Sequence, residues 1–208
     1  MKRFYFLGLL FIVVLTGCSA LDVVNNDSVR AFGDVLAVLP AKGDEENVWR
    51  VTAPDGGAQL VWDNQTVSVT VDVQPFITAG LNTDKLENGT VNGDTLIYTA
   101  PSFNMLNQEE QKGALNQFEK DLRFLRDKLG YHMEMEHYTL DLGDAMFEWA
   151  KDIDVNDKDI VFALNPDPLV AAGVDPENVD GWVYTQVSVH VDGKPTDVWK
   201  LLKPINLK

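Results

Sequence analysis

Eight consecutive residues, from Thr66 to Val73, alternate strictly between polar and apolar side chains. Successive side chains of a β-strand point to opposite faces of a sheet, so this period of two predicts a strand with one face in the core and the other in water. The segment therefore predicts a sheet that is covered on one side only, and the rest of the chain has to supply its other strands and its cover.

Turn signals around this segment mark the limits of the neighbouring strands. The cluster from Pro54 to Gly57 separates two short apolar runs, 49–53 and 58–62, and predicts a hairpin because Pro fixes one φ and Gly accepts a positive φ. Residues 76–81 are expected to form another short strand. The pairs Asn88-Gly89 and Asn92-Gly93 predict turns before a strand over residues 95–99.

A long amphipathic helix is predicted over residues 107–129. Its apolar positions recur at spacings of three and four: Leu115, Phe118, Leu122, Leu125 and Leu129. Asn107 is a candidate N-cap, and Gly130 suits the position just after the helix. An apolar stripe of this length has to be buried, so we expect the helix to pack on the sheet.

The remaining segments predict further strands and short helical turns. A strand is expected over 131–142, a short helix over 144–151, and a buried strand over 160–164. Helical turns are expected at Asp167-Pro168 and Asp175-Pro176, followed by a C-terminal hairpin that reverses at Asp192-Gly193. With no internal repeat recognised, the prediction is one α+β domain: a mostly antiparallel sheet covered on one face by one long amphipathic helix.

The N-terminus has the layout of an export signal. Met1-Lys2-Arg3 is followed by an apolar run, Phe4 to Leu15, and by the only cysteine, Cys18. As a helix, these 12 apolar residues would span roughly 18 Å, against about 30 Å for the hydrocarbon core of a bilayer. The run is too short for a permanent span. The four residues Leu15-Thr16-Gly17-Cys18 resemble the lipobox of bacterial lipoproteins.

This resemblance implies a lipid anchor. In such proteins the thiol of Cys18 would receive a diacylglyceryl group, the chain would be cut between Gly17 and Cys18, and the new amino terminus would often be acylated too; two or more acyl chains give stable anchoring. The predicted organisation is a signal peptide at 1–17, a lipidated cysteine with a short tether at 18–28, and one domain at 29–208. The implied location is the cell membrane or the outer membrane, facing the periplasm or the exterior, and Ser19 after the cysteine favours the outer membrane.

Charge limits the partners. The chain has 17 Lys and Arg against 32 Asp and Glu, a net charge of −15, and loss of Lys2 and Arg3 with the signal leaves 15 against 32, or −17. Such a surface repels anionic lipid and nucleic acid, so we expect a membrane contact through covalent lipid and no nucleic-acid partner. With Cys18 acylated, no thiol is left for a disulfide or for catalysis, and no cofactor is predicted.

One segment is a candidate metal site. If residues 131–142 form one strand, then His132, Glu134 and Glu136 project from one face of it, and imidazole with carboxylates can bind a divalent ion. His137 would point the other way. The alternative is a solvated polar face.

An acidic segment, 152–159, resembles the start of a calcium loop. It has Asp157 and Ala163 where an EF-hand requires Gly and Glu. A solvent-exposed acidic turn is the alternative interpretation.

Aromatic residues near the C-terminus are a candidate ligand surface. Trp182, Tyr184 and His190 would share one face of the last long strand, where rings can stack on sugars or cations. Packing against the core is the alternative. No serine-nucleophile or phosphate-loop motif is present.

These observations predict a membrane-anchored, non-enzymatic cell-envelope lipoprotein whose domain is a binding or assembly module for an envelope protein, a wall component or a small ligand. The alternative is an envelope hydrolase or metal-binding protein that uses dispersed histidines and carboxylates.

Overall fold

The computed structural model describes residues 20–39, 41–43, 48–63, 66–101, 125, 128–133, 135–153 and 159–205. In this part of the chain, twelve strands form two six-stranded sheets in which every pair of neighbours is antiparallel. The fold is therefore mostly β, with helices as connections and as one packed element.

The first sheet follows helix α1 (Ala20–Val38) and has the strand order β1-β2-β3-β4-β6-β5. A short helix, α2 (Gln74–Thr78), and a 3-10 turn (Thr83–Lys85) connect β4 to β5. The strands are β1 (Ala41–Gly43), β2 (Trp49–Thr52), β3 (Ala58–Trp62), β4 (Thr66–Asp72), β5 (Thr90–Asn92) and β6 (Thr95–Pro101).

The second sheet has the order β7-β8-β9-β10-β12-β11. Again a short helix, α3 (Asp167–Ala171), and a 3-10 turn (Pro176–Asn178) precede the last two strands. The strands are β7 (Leu129–His132), β8 (His137–Asp141), β9 (Ala145–Ala150), β10 (Ile160–Leu164), β11 (Val183–Val191) and β12 (Lys194–Pro204).

The two sheets repeat one topology. In each, four strands form a meander, a short helix and a 3-10 turn follow, and a final hairpin places its second strand beside the fourth strand. The sequence alone predicted no internal repeat. The matching letters are few: Pro75, Ala79 and Gly80 recur 93 positions later as Pro168, Ala172 and Gly173, and Asn82 corresponds to Asp175.

Reciprocal contacts join the two units. The amide of Asn82 donates to the carbonyl of Ala172, and the amide of Asp175 donates to the carbonyl of Ala79, both at 2.8 Å. Because Asn82 matches Asp175 and Ala79 matches Ala172, this pair of hydrogen bonds has local two-fold symmetry.

The turns before β3 and β9 also make reciprocal contacts, each with the other unit. Asp55 of the first unit pairs with Lys203 of the second at 2.7 Å, and Asp144 of the second accepts a hydrogen bond from Asn88 of the first at 2.6 Å. Each unit therefore uses the turn before its third strand to hold the other.

Helix α1 inserts one aromatic ring between the sheets. Phe32 is fully buried, with its ring centroid 5.7 Å from Trp62 of β3, 5.5 Å from Trp149 of β9 and 6.3 Å from Phe147. The two tryptophans hold matching positions at the ends of β3 and β9 and are themselves buried. Burial of three large rings at one point makes this the centre of the shared core.

Several sequence predictions are confirmed. The alternation from Thr66 forms β4, with Val67, Val69, Val71 and Val73 all at most 2% exposed. The hairpin β2–β3, the strands β6 and β10, both Pro-initiated turns and the C-terminal hairpin also form.

The predicted fold class is wrong. The chain forms two antiparallel sheets in place of one sheet under one long helix. Most of the predicted helix, residues 107–124 with 126 and 127, lies outside the described residues, and its predicted end at Leu129 and Gly130 is part of β7. Helix α1 begins at Ala20, within the predicted tether, and the boundaries at 17/18 and 28/29 stay predictions.

Three local predictions are also wrong. Residues 76–81 contain the end of α2, because Pro75 occupies the first turn, where its missing N–H costs nothing. Residues 144–151 form β9, in which Ala145, Phe147 and Trp149 face the core at a period of two. The segment 131–142 is two strands that reverse near Glu136, whose φ is +51°.

Candidate interaction surface

The C-terminal hairpin extends beyond the second sheet as a two-stranded arm. Strands β11 and β12 pair over nine positions, from Val183 opposite Leu202 to Val191 opposite Lys194. Strand β10 pairs with β12 only at Leu201–Pro204. Residues 185–200, which we call the arm, therefore have neither strand paired to β10, and at about 3.4 Å per residue they reach roughly 24 Å from the sheet.

The arm is where the two units differ most. In the first unit the equivalent hairpin pairs over three positions, and all of β6 is covered by β4. In the second unit the same hairpin pairs over nine positions. Since the topology is otherwise shared, the extension is not needed to build a unit of this kind.

Large apolar side chains are exposed along the hairpin. Val183 and Val191 at the two ends of β11 are each 51% exposed, and Trp199 on β12 is 46% exposed. The rings of Tyr184 and Trp199 stack, with centroids 4.4 Å apart and planes 20° apart. This stacked pair lies where the arm leaves the sheet, with Tyr184 partly buried against the core and the Trp199 ring half exposed.

Two ion pairs fix the base of the arm. Lys200 donates to Glu148 of β9 at 2.6 Å, and both side chains are at most 10% exposed. Lys203 pairs with Asp55 across the units, and its ammonium lies 6.0 Å from the ring centroid of Trp182. Burial alone would raise the pKa of Asp55, but hydrogen bonds from Lys203 and from the Gly57 amide hold the pKa of that carboxyl below its ordinary value.

The structure does not gather the three predicted ligand residues into one cluster. Trp182 precedes β11 and packs edge-on against Phe76 at 5.4 Å. Tyr184 lies at the base of the arm and His190 near its tip, six residues and roughly 20 Å further along the strand. Ligand binding by these residues stays a prediction. Trp199, which carries the exposed ring, was missed, although it also stands in an alternating segment.

The predicted metal residues lie at a hairpin reversal. His132 is directly opposite His137 in the register of β7 and β8, so the predicted single strand face is wrong. Glu136 has an oxygen 4.0 Å from Lys151 Nζ, and Glu134 lies outside the described residues. Among the described residues, no group of three or more His, Cys, Asp or Glu side chains is placed to hold a metal ion. The metal site stays a prediction.

A groove of about 540 Å³ separates α1 from the end of β9. Its walls are Ala31, Asp34, Val38, Trp149, Lys151, Asp152 and Ile153. The buried indole N–H of Trp149 finds no acceptor among the described residues. The calcium-like segment begins at this groove with Asp152, but its residues 154–158 lie outside the described part.

The class of protein is identified from the N-terminus and not from the two sheets. Residues 1–19, which contain Cys18, match the family described as the prokaryotic membrane lipoprotein lipid attachment site. The chain is a bacterial lipoprotein precursor, and the protein is anchored to a membrane by lipid. In the described residues, no helix combines the length and the apolar character needed to cross a bilayer.

No curated protein and no solved structure matches the chain.

Proposed function

We propose that this lipoprotein carries its acyl chains on Cys18 and binds a second cell-envelope protein through the Tyr184–Trp199 face of the arm. The single observation that supports this is the difference between two units of one topology: one ends in a short, covered hairpin and the other in a long arm with an exposed tryptophan. Because the first unit folds without a long arm, the arm of the second unit is free to serve in binding.

The chemistry of the face suits a protein partner. Tryptophan and tyrosine bury a large area with few rotatable bonds, and tryptophan is among the residues that most often dominate binding energy in protein interfaces. The stack with Tyr184 already orders the Trp199 ring, so a partner has little side-chain entropy to remove.

The anchor suits the acidic domain. A mature net charge of −17 is repelled by anionic lipid, so the domain needs a covalent tether to stay at a bilayer. In a bacterium with two membranes, Ser19 after the cysteine favours the outer one, with the domain facing the periplasm or the exterior. Mass spectrometry of the N-terminal peptide tests the anchor: it should carry acyl chains on Cys18, and Cys18→Ala should leave the membrane fraction.

The arm is tested with a photoreactive amino acid at position 199 in the intact lipoprotein in native membranes. Irradiation should give a defined adduct with a second protein species. The matched control is position 133, since Met133 is 75% exposed in the turn between β7 and β8, and β7 is the edge strand of the second sheet opposite β11. No adduct at 199, equal adducts at both positions, or an adduct made only of two copies of this chain would each contradict the proposal.

A further inference from the structure

Strand β11 is a long open sheet edge. It pairs with β12 on one side and with no other strand in the described part of the chain. Its nine residues, Val-Tyr-Thr-Gln-Val-Ser-Val-His-Val, include no Asp, Glu, Lys or Arg, although such residues make up 24% of the chain. The edge strands β1, β5 and β7 have three, three and four residues.

Natural sheets protect an edge of this kind with charges, proline, a bulge or a covering segment, because its unpaired amides and carbonyls attract another strand. Strand β11 has no charge and no proline, and neither of its positions 183 and 191 is covered, as both valines are half exposed. The edge is therefore suited to pairing with a further strand.

The sequence of β11 is complementary to itself. In an antiparallel pair of two β11 strands centred on Val187, residues whose numbers sum to 374 lie opposite each other. Val183 then faces Val191, Val187 faces Val187, and Thr185 faces Val189. All of these side chains lie on one face of the sheet, so the two most exposed valines of each copy cover one another.

We propose that two copies of this lipoprotein pair antiparallel through β11 and join their second sheets into one continuous twelve-stranded sheet. An antiparallel pair of identical strands has a two-fold axis, so the contact closes at two copies and leaves no free end to propagate. The seam would be about 30 Å long. Because β11 is uncharged, the seam places no like charges opposite each other.

The lipid anchor allows two copies to form a dimer through a seam as small as this one. A single strand pair is smaller than the roughly 1,200–2,000 Å² that stable soluble complexes bury, and the mature net charge of −17 opposes association. Two copies held in one membrane plane have a much higher effective concentration. We therefore expect dimers at the membrane that strengthen as salt screens the repulsion. This proposal does not depend on the Trp199 face.

The test uses the full lipoprotein, acylated at Cys18 and reconstituted in liposomes, with one added cysteine and a copper–phenanthroline oxidant. Val187→Cys should form a disulfide-linked dimer, because opposite Cβ atoms in such pairs are about 4.5–5.5 Å apart. Val198→Cys is the matched control: it sits opposite Val187 within one copy, and across the seam it would be roughly 14 Å from its equivalent.

We expect at least tenfold more dimer from Val187→Cys than from Val198→Cys. Adding Val183→Asp and Val191→Asp to the Val187→Cys chain puts carboxylates opposite each other at both ends of the seam. It should lower the dimer yield about tenfold while the melting curve stays the same, since both positions are exposed. Equal yields from the two cysteine variants, or a yield unaffected by the aspartates, would overturn the proposal.

Discussion

Gly80 and Gly173 touch backbone to backbone between the two units. A Cβ added to Gly80 would lie 2.6 Å from the carbonyl oxygen of Gly173, and one added to Gly173 would lie 2.9 Å from the carbonyl oxygen of Gly80. Both residues have positive φ, +106° and +101°. Their reciprocal approach is what allows the two hydrogen bonds at Asn82 and Asp175 to form.

Gly80→Ala should therefore cost about 2–5 kcal/mol of unfolding free energy, from unfavourable φ and from a clash that only a backbone shift can relieve. Urea denaturation measures it. Gly93→Ala separates the two causes, because Gly93 also has a positive φ, +58°, but a Cβ there meets nothing within 4 Å. Equal losses in the two variants would show that the contact with Gly173 is not tight.

Phe32→Ala should destabilise the protein by about 3–5 kcal/mol, since it leaves a cavity between Trp62 and Trp149. The loss should appear in one cooperative transition if the ring joins both sheets, and near-ultraviolet circular dichroism of the tryptophans follows it. Val38→Ala on the same helix removes a 41% exposed side chain and should change stability by less than about 0.5 kcal/mol. Two separated transitions in the wild-type protein would contradict a shared core.

Lys200→Met should cost about 3–5 kcal/mol, because it leaves the carboxylate of Glu148 buried without its cation. The double variant Lys200→Met with Glu148→Leu removes both charges and should recover most of that loss, as replacing a buried ion pair with apolar groups is often neutral or stabilising. Denaturant titrations of the four members of this cycle give the coupling energy. Additive single and double effects would show that the pair is not isolated from water.

The pairing of Asp55 with Lys203 predicts a pH dependence. The pKa of Asp55 is lowered in the folded protein, so its contribution is present above the unfolded pKa of about 4 and is lost as the pH falls through the lower folded value. Asp55→Asn should cost about 1 kcal/mol or less at pH 7, because this carboxylate is 60% exposed, and the difference should vanish in acid. In a Lys203→Met background, Asp55→Asn should show a weaker pH trend, because the main group that lowers the pKa of Asp55 is then absent. A pH-independent loss in Asp55→Asn would argue against the ion pair.

Local sequence patterns correctly predicted the strands and turns whose structure depends only on their own residues. The alternation in β4 and the turn chemistry at Pro54–Gly57 and Asp192-Gly193 need no knowledge of the other sheet, and they formed as expected. Residues 144–151 were different, because Phe147 and Trp149 suit a helix or a strand equally well from the sequence. Pairing with β8 and β10 decides for β9.

The candidate surface was only partly predictable for the same reason. The sequence indicates a long uncharged strand at 183–191, and it places Tyr184 and His190 on one face. It does not show that β10 ends beside Leu201, which leaves Trp199 on a stretch of β12 that β10 does not cover, or that β11 takes the edge position of the second sheet.

By itself, the sequence determined that the protein is attached to a membrane by lipid. This signal is local, because it depends only on the length of a short apolar run and on the residues around Cys18. The sequence also determined that strands would dominate around Thr66. Only the tertiary structure decided that the chain forms two units of one topology. Gly80 and Gly173 are 93 positions apart and become partners only when both sheets have folded, because their contact depends on backbone geometry that many different side chains can support.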